Sequence, residues 1–217
     1  MSDATSIIWM FALGAAALGG IPYLIWMVIT VAKKQWRNLV ILAVIPVLAY
    51  GILLVATGLV DRANNKEYLK GIYGTTVEFG APIFEYHSER AFNGDGYSIE
   101  IYELPDSVRK KFVSPDSDFL NRFPQRPDYR EDWETETWRE GPFDSSFESY
   151  LSFALSSYDV DQAPGLAVHF ADIRVALKSK RTFYSFFKYD HGDHPGNVDM
   201  FIIDLESGRI YEINHNT

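Results

Sequence analysis

The chain has 217 residues, with 20 basic and 29 acidic side chains, a net charge of −9 and no cysteine. The missing thiols exclude disulfides, thiolate nucleophiles and thiolate metal sites. Residues 61–217 hold 17 of the basic and 28 of the acidic groups, a net −11, which excludes a basic nucleic-acid surface and broad attachment to anionic lipid, and favours solubility or a basic partner.

Two uncharged apolar runs open the chain, residues 7–32 and 39–60, parted by Lys33-Lys34-Gln35-Trp36-Arg37. A helix needs roughly 20 apolar residues to cross a bilayer core, and both runs meet that length. The six residues before the first run carry no Lys or Arg, unlike the positive start of a signal peptide, so the first run is expected to be a permanent span. Short loops rich in Lys and Arg stay on the cytoplasmic side. The tip is therefore expected inside and both termini outside, although Arg62, Lys66 and Lys70 follow the second run, mixed with Asp61 and Glu67. Gly14, Ala15, Ala16, Ala17, Gly19 and Gly20 offer small surfaces for close helix approach. Pro22 and Pro46 are expected to kink the spans, and Trp9 and Trp36 to sit at the interface. Neither run holds an ionisable group suited to a relay, which argues for an anchor rather than a transport path.

Beyond the spans, residues 61–74 read as a helical continuation and 75–86 as irregular strand. Asn93-Gly94-Asp95-Gly96 is a turn signal. Residues 97–104 alternate, with Tyr97, Ile99 and Ile101 on one face, as in a half-buried strand. Pro105 starts a short helix through Phe112, with Asp106 or Ser107 as its cap. Residues 114–141, with Pro115, Pro124, Pro127, Trp133 and Trp138, read as a long loop. Residues 144–158 read as a helix: Ser145 and Glu148 form a capping box, and Phe147, Tyr150, Leu151, Ala154, Leu155 and Tyr158 share one face. A second helix is expected over 171–180, with Lys178, Lys180 and Arg181 at its basic end. Residues 182–189, 198–205 and 209–214 read as strands, the last two joined at Glu206-Ser207-Gly208. The predicted class is α+β: a two-helix transmembrane hairpin over residues 1–60, then one soluble domain over 61–217 with an antiparallel sheet and two or more helices.

Chemistry-bearing groups are few. Asp190, His191, Asp193 and His194 carry imidazole and carboxylate ligands of the kind zinc takes, but they lie between two expected strands and before Pro195-Gly196, as a hairpin loop does. Glu85, His87 and Asp95 are the catalytic candidates, weighed against polar residues that order a turn. No G-x-S-x-G, H-E-x-x-H or P-loop pattern is present, and no cofactor is implied. Trp133, Trp138, Phe143 and Phe147 read mostly as core. Glu131, Asp132, Trp133, Glu134, Glu136 and Trp138 are the candidate partner-binding set, because charge there is combined with aromatic anchors.

His87, Phe92, Gly94, Asp95 and Gly96 match a H-x-x-x-x-F-x-G-D-G stretch that resembles a segment of uncharacterised bacterial proteins, a likeness that implies no reaction. Residues 201–211 resemble the terminal hairpin of small bacterial α+β domains. The plan of a short membrane hairpin bearing an acidic outer domain is similar to membrane-bound immunity proteins against toxins of the type VI secretion system. The topology with its short tails suggests a bacterial inner membrane and a periplasmic domain, the resemblance implies a protein partner, a secreted toxin, and the absence of catalytic motifs leans away from an enzyme without deciding it. A membrane-anchored envelope hydrolase and an accessory or sensor subunit of a larger membrane complex are the alternatives, because architecture alone does not set function.

Overall fold

A computed structural model of the chain describes residues 3–92, 95–126, 133–156, 163 and 165–217. The chain divides into two compact units, Met1–Glu67 and Tyr68–Thr217.

The first unit is helical. Asp3–Ala32 forms α1, and α2 runs over Trp36–Tyr73, with Pro22 and Pro46 inside them. Both helices are long and apolar enough to cross a membrane. Only 6% of each apolar window is buried, so Phe11, Leu18, Ile21, Val47 and Ile52 face outward. Water penalises a continuous apolar surface of that size, whereas hydrocarbon accepts it. Thr30 donates its hydroxyl to Trp26 O at 2.8 Å and Thr57 to Leu53 O at 3.0 Å, which satisfies both groups within the helix, as lipid requires. Tyr23 donates to Leu42 O, and the rings of Trp9 and Tyr50 lie 6.2 Å apart, so α1 and α2 pack as a hairpin.

The second unit begins in the last turns of α2. Its further elements are β1 (Phe84–His87), β2 (Gly96–Glu103), α3 (Asp106–Val113), α4 (Ser117–Arg122), β3 (Glu134–Glu140), α5 (Glu148–Ala154), α6 (Leu166–Ala176), β4 (Thr182–His191), β5 (His194–Asp204) and β6 (Arg209–Asn216). The strands form one antiparallel sheet in the order β1-β2-β6-β5-β4-β3. The class is α+β, as the element pattern predicts.

Alternation in the strands sends side chains to two cores. Ile99, Ile101, Tyr184, Phe186, Met200, Ile202, Tyr211 and Ile213 pack with α5 and α6. On the opposite face Phe183, Phe187, Phe201, Ile203 and Ile210 pack with α3, α4, Trp138 and the last turn of α2. Burial on both faces explains why β4 and β5 are near-continuous apolar runs. Gly74 stops α2: its φ is +64°, a left-handed conformation suited to glycine, and its N–H reaches Lys70 O at 2.9 Å.

Several local expectations are corrected. Residues 114–141 are not one loop, because they contain α4 and β3. Asp116 caps α4 by accepting from Phe119 N at 2.6 Å, and β3 gains its partner only from β4, a long-range pairing that no local pattern announces. Of residues 75–86, only the last few are strand. The capping box at Ser145 is replaced by Asp144, which accepts from Ser146 N at 2.9 Å and starts a 3-10 turn before α5. Glu148 turns instead to Ser152 at 2.9 Å and Arg174 at 3.1 Å. Neither Asp106 nor Ser107 caps α3; Pro105 holds that position with no side-chain bond. The second helix, α6, starts earlier than expected and ends at Ala176, before the basic residues.

Candidate functional site

Antiparallel register builds a polar patch on the face of β2, β6 and β5 opposite α5 and α6. In β2 the residues between Ile99 and Ile101 turn the other way, so Glu100 faces this patch. Glu100 pairs in register with Glu85 of β1 on one side and Glu212 of β6 on the other. Three glutamates thus form a row across three strands. One pair further along, Asn214 of β6 stands opposite Asp199 of β5. Like charges placed directly opposite cost stability unless a proton, a donor or a cation intervenes.

Each carboxylate has its own partners. Asp199 is 7% exposed and takes Arg126 at 2.9 Å and the amide of Asn214. Arg90 donates to the other end of Asn214 at 2.8 Å. Glu100 accepts from Tyr102 and lies 3.5 Å from His87 Nε2. Glu212 accepts from the hydroxyl of fully buried Tyr73 at 2.6 Å. A cavity of about 390 Å³ opens over the patch, lined among others by Tyr68, Arg90, Glu100, Arg126, Asp199 and Glu212.

This environment shifts two protons. Burial pushes the Glu212 carboxyl up to about 7, with Glu100 and Asp199 adding to the rise and the Tyr73 hydrogen bond opposing it. Burial also raises Asp199, against the pull of Asn214 and Arg126. A carboxyl near 7 at the floor of a cavity can give or take a proton at neutral pH, the property required of a general acid or base. A larger open groove of about 670 Å³ runs past Trp138, Arg139, Asp144 and Tyr184. There the hydrogen bonds from Ser146 hold Asp144 below its ordinary value, so it stays an ordinary charged carboxylate.

The structure sorts the candidates read from sequence. Glu85 is itself part of the row, and His87, on the same exposed side of β1, reaches it through Glu100. Asp95 sits before β2, its carbonyl accepting from Ala91 N at 2.9 Å. The sequence does not mark Glu100, Asp199, Glu212 and Tyr73 as a group. The alternation of β2 marks Glu100 as polar-facing, but no sequence signal announces that Glu212, 112 positions later, is its neighbour.

Asp190, His191, Asp193 and His194 form a tight hairpin: β4 ends at His191, β5 starts at His194, and the two pair across Gly192-Asp193. Gly192 has φ +63°, which a two-residue hairpin turn with glycine first accepts. The His191 ring lies against Gly196 and edge-on to Tyr189 at 5.1 Å, while Asp190 accepts from Tyr150 at 2.9 Å. Among the described residues no group of three or more His, Asp or Glu is placed to hold a metal ion.

Of the expected partner-binding set, Glu131 and Asp132 lie outside the described residues. Glu134 pairs with Lys188 at 2.8 Å and Glu136 with Arg139 at 3.1 Å. Trp133 stacks on Tyr189 with centroids 6.3 Å apart. Trp138 is core rather than surface: it is 2% exposed, and its indole donates to Ile72 O at 3.0 Å. A register shift in β3 between Glu136 and Arg139 turns it inward, onto the face opposite Glu136, where an amphipathic ring satisfies its one polar atom.

Comparison with protein-family models, curated proteins and solved structures gives no significant match to this chain.

Proposed function

We propose that the chain is a bacterial inner-membrane protein, with both termini outside, whose acidic periplasmic domain binds a protein partner. The most concrete form is an immunity protein that neutralises a toxin acting in the periplasm or on the membrane. The supporting observation is continuity: α2 runs unbroken from an uncharged apolar stretch into the core of a domain of net charge −11. Such a domain attracts a basic partner by long-range field. Trp133 with Glu134 and Glu136 is the proposed contact, and the mechanism is occlusion of the toxin. Reporter fusions at Thr217 test the orientation: a reporter active only outside the cytoplasm should function, and activity of a cytoplasm-only reporter refutes the topology. Deletion of the gene together with any adjacent toxin gene should sensitise cells to toxin-producing kin; undiminished survival rejects the immunity role.

A membrane-anchored envelope hydrolase is the second reading, favoured by Glu212 at the cavity floor. Under it, Glu212→Gln abolishes activity in cells while the protein remains folded. Under the immunity reading the same variant still protects.

A further inference from the structure

We propose that the outer edge of β3, at Glu140, takes an extended basic segment of the protein partner as a further strand of the sheet. The proposal rests on the partner-binding reading and gives it a mode of recognition. β3 stands last in the strand order, so β4 pairs with one of its sides only.

Backbone groups alternate across an antiparallel ladder. Gly141 N–H bonds Thr182 O at 2.7 Å, on the β4 side. Leu205 N–H bonds Arg181 O at 3.1 Å, so the odd-numbered residues of β4 turn their backbone toward β5. Glu140 stands opposite Phe183 and therefore turns its own N–H and C=O outward. On the same outer side Trp138 N–H bonds Phe123 O at 2.9 Å, and Phe123 is itself extended, with φ −110° and ψ 151°. This edge thus already carries one bridge to an extended residue. Among the described residues Glu140, the next outward position, has no backbone partner.

Space and charge fit the same occupant. The groove of about 670 Å³ opens on Arg139 and Glu140 and is lined by Leu120 and Asn121 of α4 and by Phe143 and Asp144. Glu140 and Asp144 are exposed carboxylates. The one cation lining the groove, Arg139, is shared between Glu136 at 3.1 Å and Asp144 at 4.0 Å. A residue that pairs with Glu140 points its side chain to the same face, so a Lys or Arg there forms a cross-strand ion pair. A second copy of this chain brings the same glutamates and the same net charge, which opposes self-addition. Strand addition draws affinity from main-chain bonds and specificity from alternate side chains.

The probe is a short labelled peptide of alternating Lys and Val, titrated by fluorescence anisotropy into the full chain in uncharged detergent micelles. A second peptide has the same sequence with every backbone nitrogen methylated, and a third has Glu in place of Lys. The methylated peptide keeps the charge but cannot donate to Glu140 O, so it should bind at least about tenfold more weakly. The Glu peptide should not bind. Glu140→Pro removes the outward N–H at an edge position where proline is tolerated and should weaken the parent peptide by a similar factor. Glu140→Lys should weaken it through charge and decides the matter if the proline variant fails to fold. No binding of the parent peptide, equal affinity of its methylated form, or undiminished binding in the Glu140 variants overturns the proposal. Protection of cells separates it from the immunity role. Equal protection by wild type and Glu140→Pro keeps that role and rejects the β3 edge as its contact. A wild type that gives no protection rejects the role, while the peptide titrations still decide the edge.

Discussion

At the scale of single residues, the cost of a charge depends on what is left behind when its partner goes. Arg126 and Asp199 form a 2.9 Å pair in which the acid side chain is 9% exposed and the base 29%. Arg126→Met strands a buried carboxylate and should cost about 2 kcal/mol, below the full range for a wholly buried pair because the guanidinium is partly in water. Asp199→Asn leaves no such charge and should cost less. Denaturant midpoints of the two variants check the order, and a cheaper Arg126→Met contradicts it. Trp138 shows the same logic for a neutral group. Trp138→Phe keeps most of the packing against Tyr73 and Phe112 and strands Ile72 O, so a loss of about 1–3 kcal/mol is expected in thermal unfolding. The sequence puts Trp138 in the partner-binding set because aromatic and acidic residues neighbour it. Its direction is set by the register shift between Glu136 and Arg139 in the pairing of β3 with β4, which no local pattern marks.

At the scale of elements, the patterns with a strong local cause were legible. The two apolar helices, β2, α3 and the closing β5–β6 hairpin follow from run length, alternation and turn chemistry. α4 and β3 were not legible, because α4 has only six residues and β3 carries four charged side chains in seven. Tertiary context makes both: α4 packs Phe119 against Phe112 at 5.2 Å, and β3 completes the sheet edge. The helix stop at Gly74 is a further element-level feature. A Cβ there would come within 2.4 Å of the Phe119 ring, and φ is positive. Gly74→Ala should therefore cost about 1–2 kcal/mol from backbone conformation plus repacking. Gly192→Ala, at the open β4–β5 turn where no atom crowds the added carbon, tests conformation alone. Circular-dichroism melts of the two variants should both drop, and an unchanged Gly192→Ala melt contradicts the turn assignment.

At the scale of the whole molecule, the two units call for different solvents. Residues 68–217 contain both hydrophobic cores. Residues 1–67 bury little and expose long apolar faces. The prediction is that a 68–217 fragment folds cooperatively in water and that the full chain stays dispersed only in detergent or lipid. Analytical ultracentrifugation with thermal melts checks both halves; a fragment that lacks a cooperative transition refutes the first, and a monodisperse full chain without detergent refutes the second.

The sequence by itself determined the apolar helices, the absence of thiol chemistry, the acidity of the second unit and its α+β class. These follow from composition and from periods of two and three to four residues, which are local quantities. Only the tertiary structure decided the candidate site. Glu212 lies far along the chain from Glu85 and Glu100 and meets them because antiparallel register aligns β1, β2 and β6. The raised proton affinity of Glu212 comes first from burial and then from Glu100 and Asp199 on the neighbouring strands, so it belongs to no segment alone.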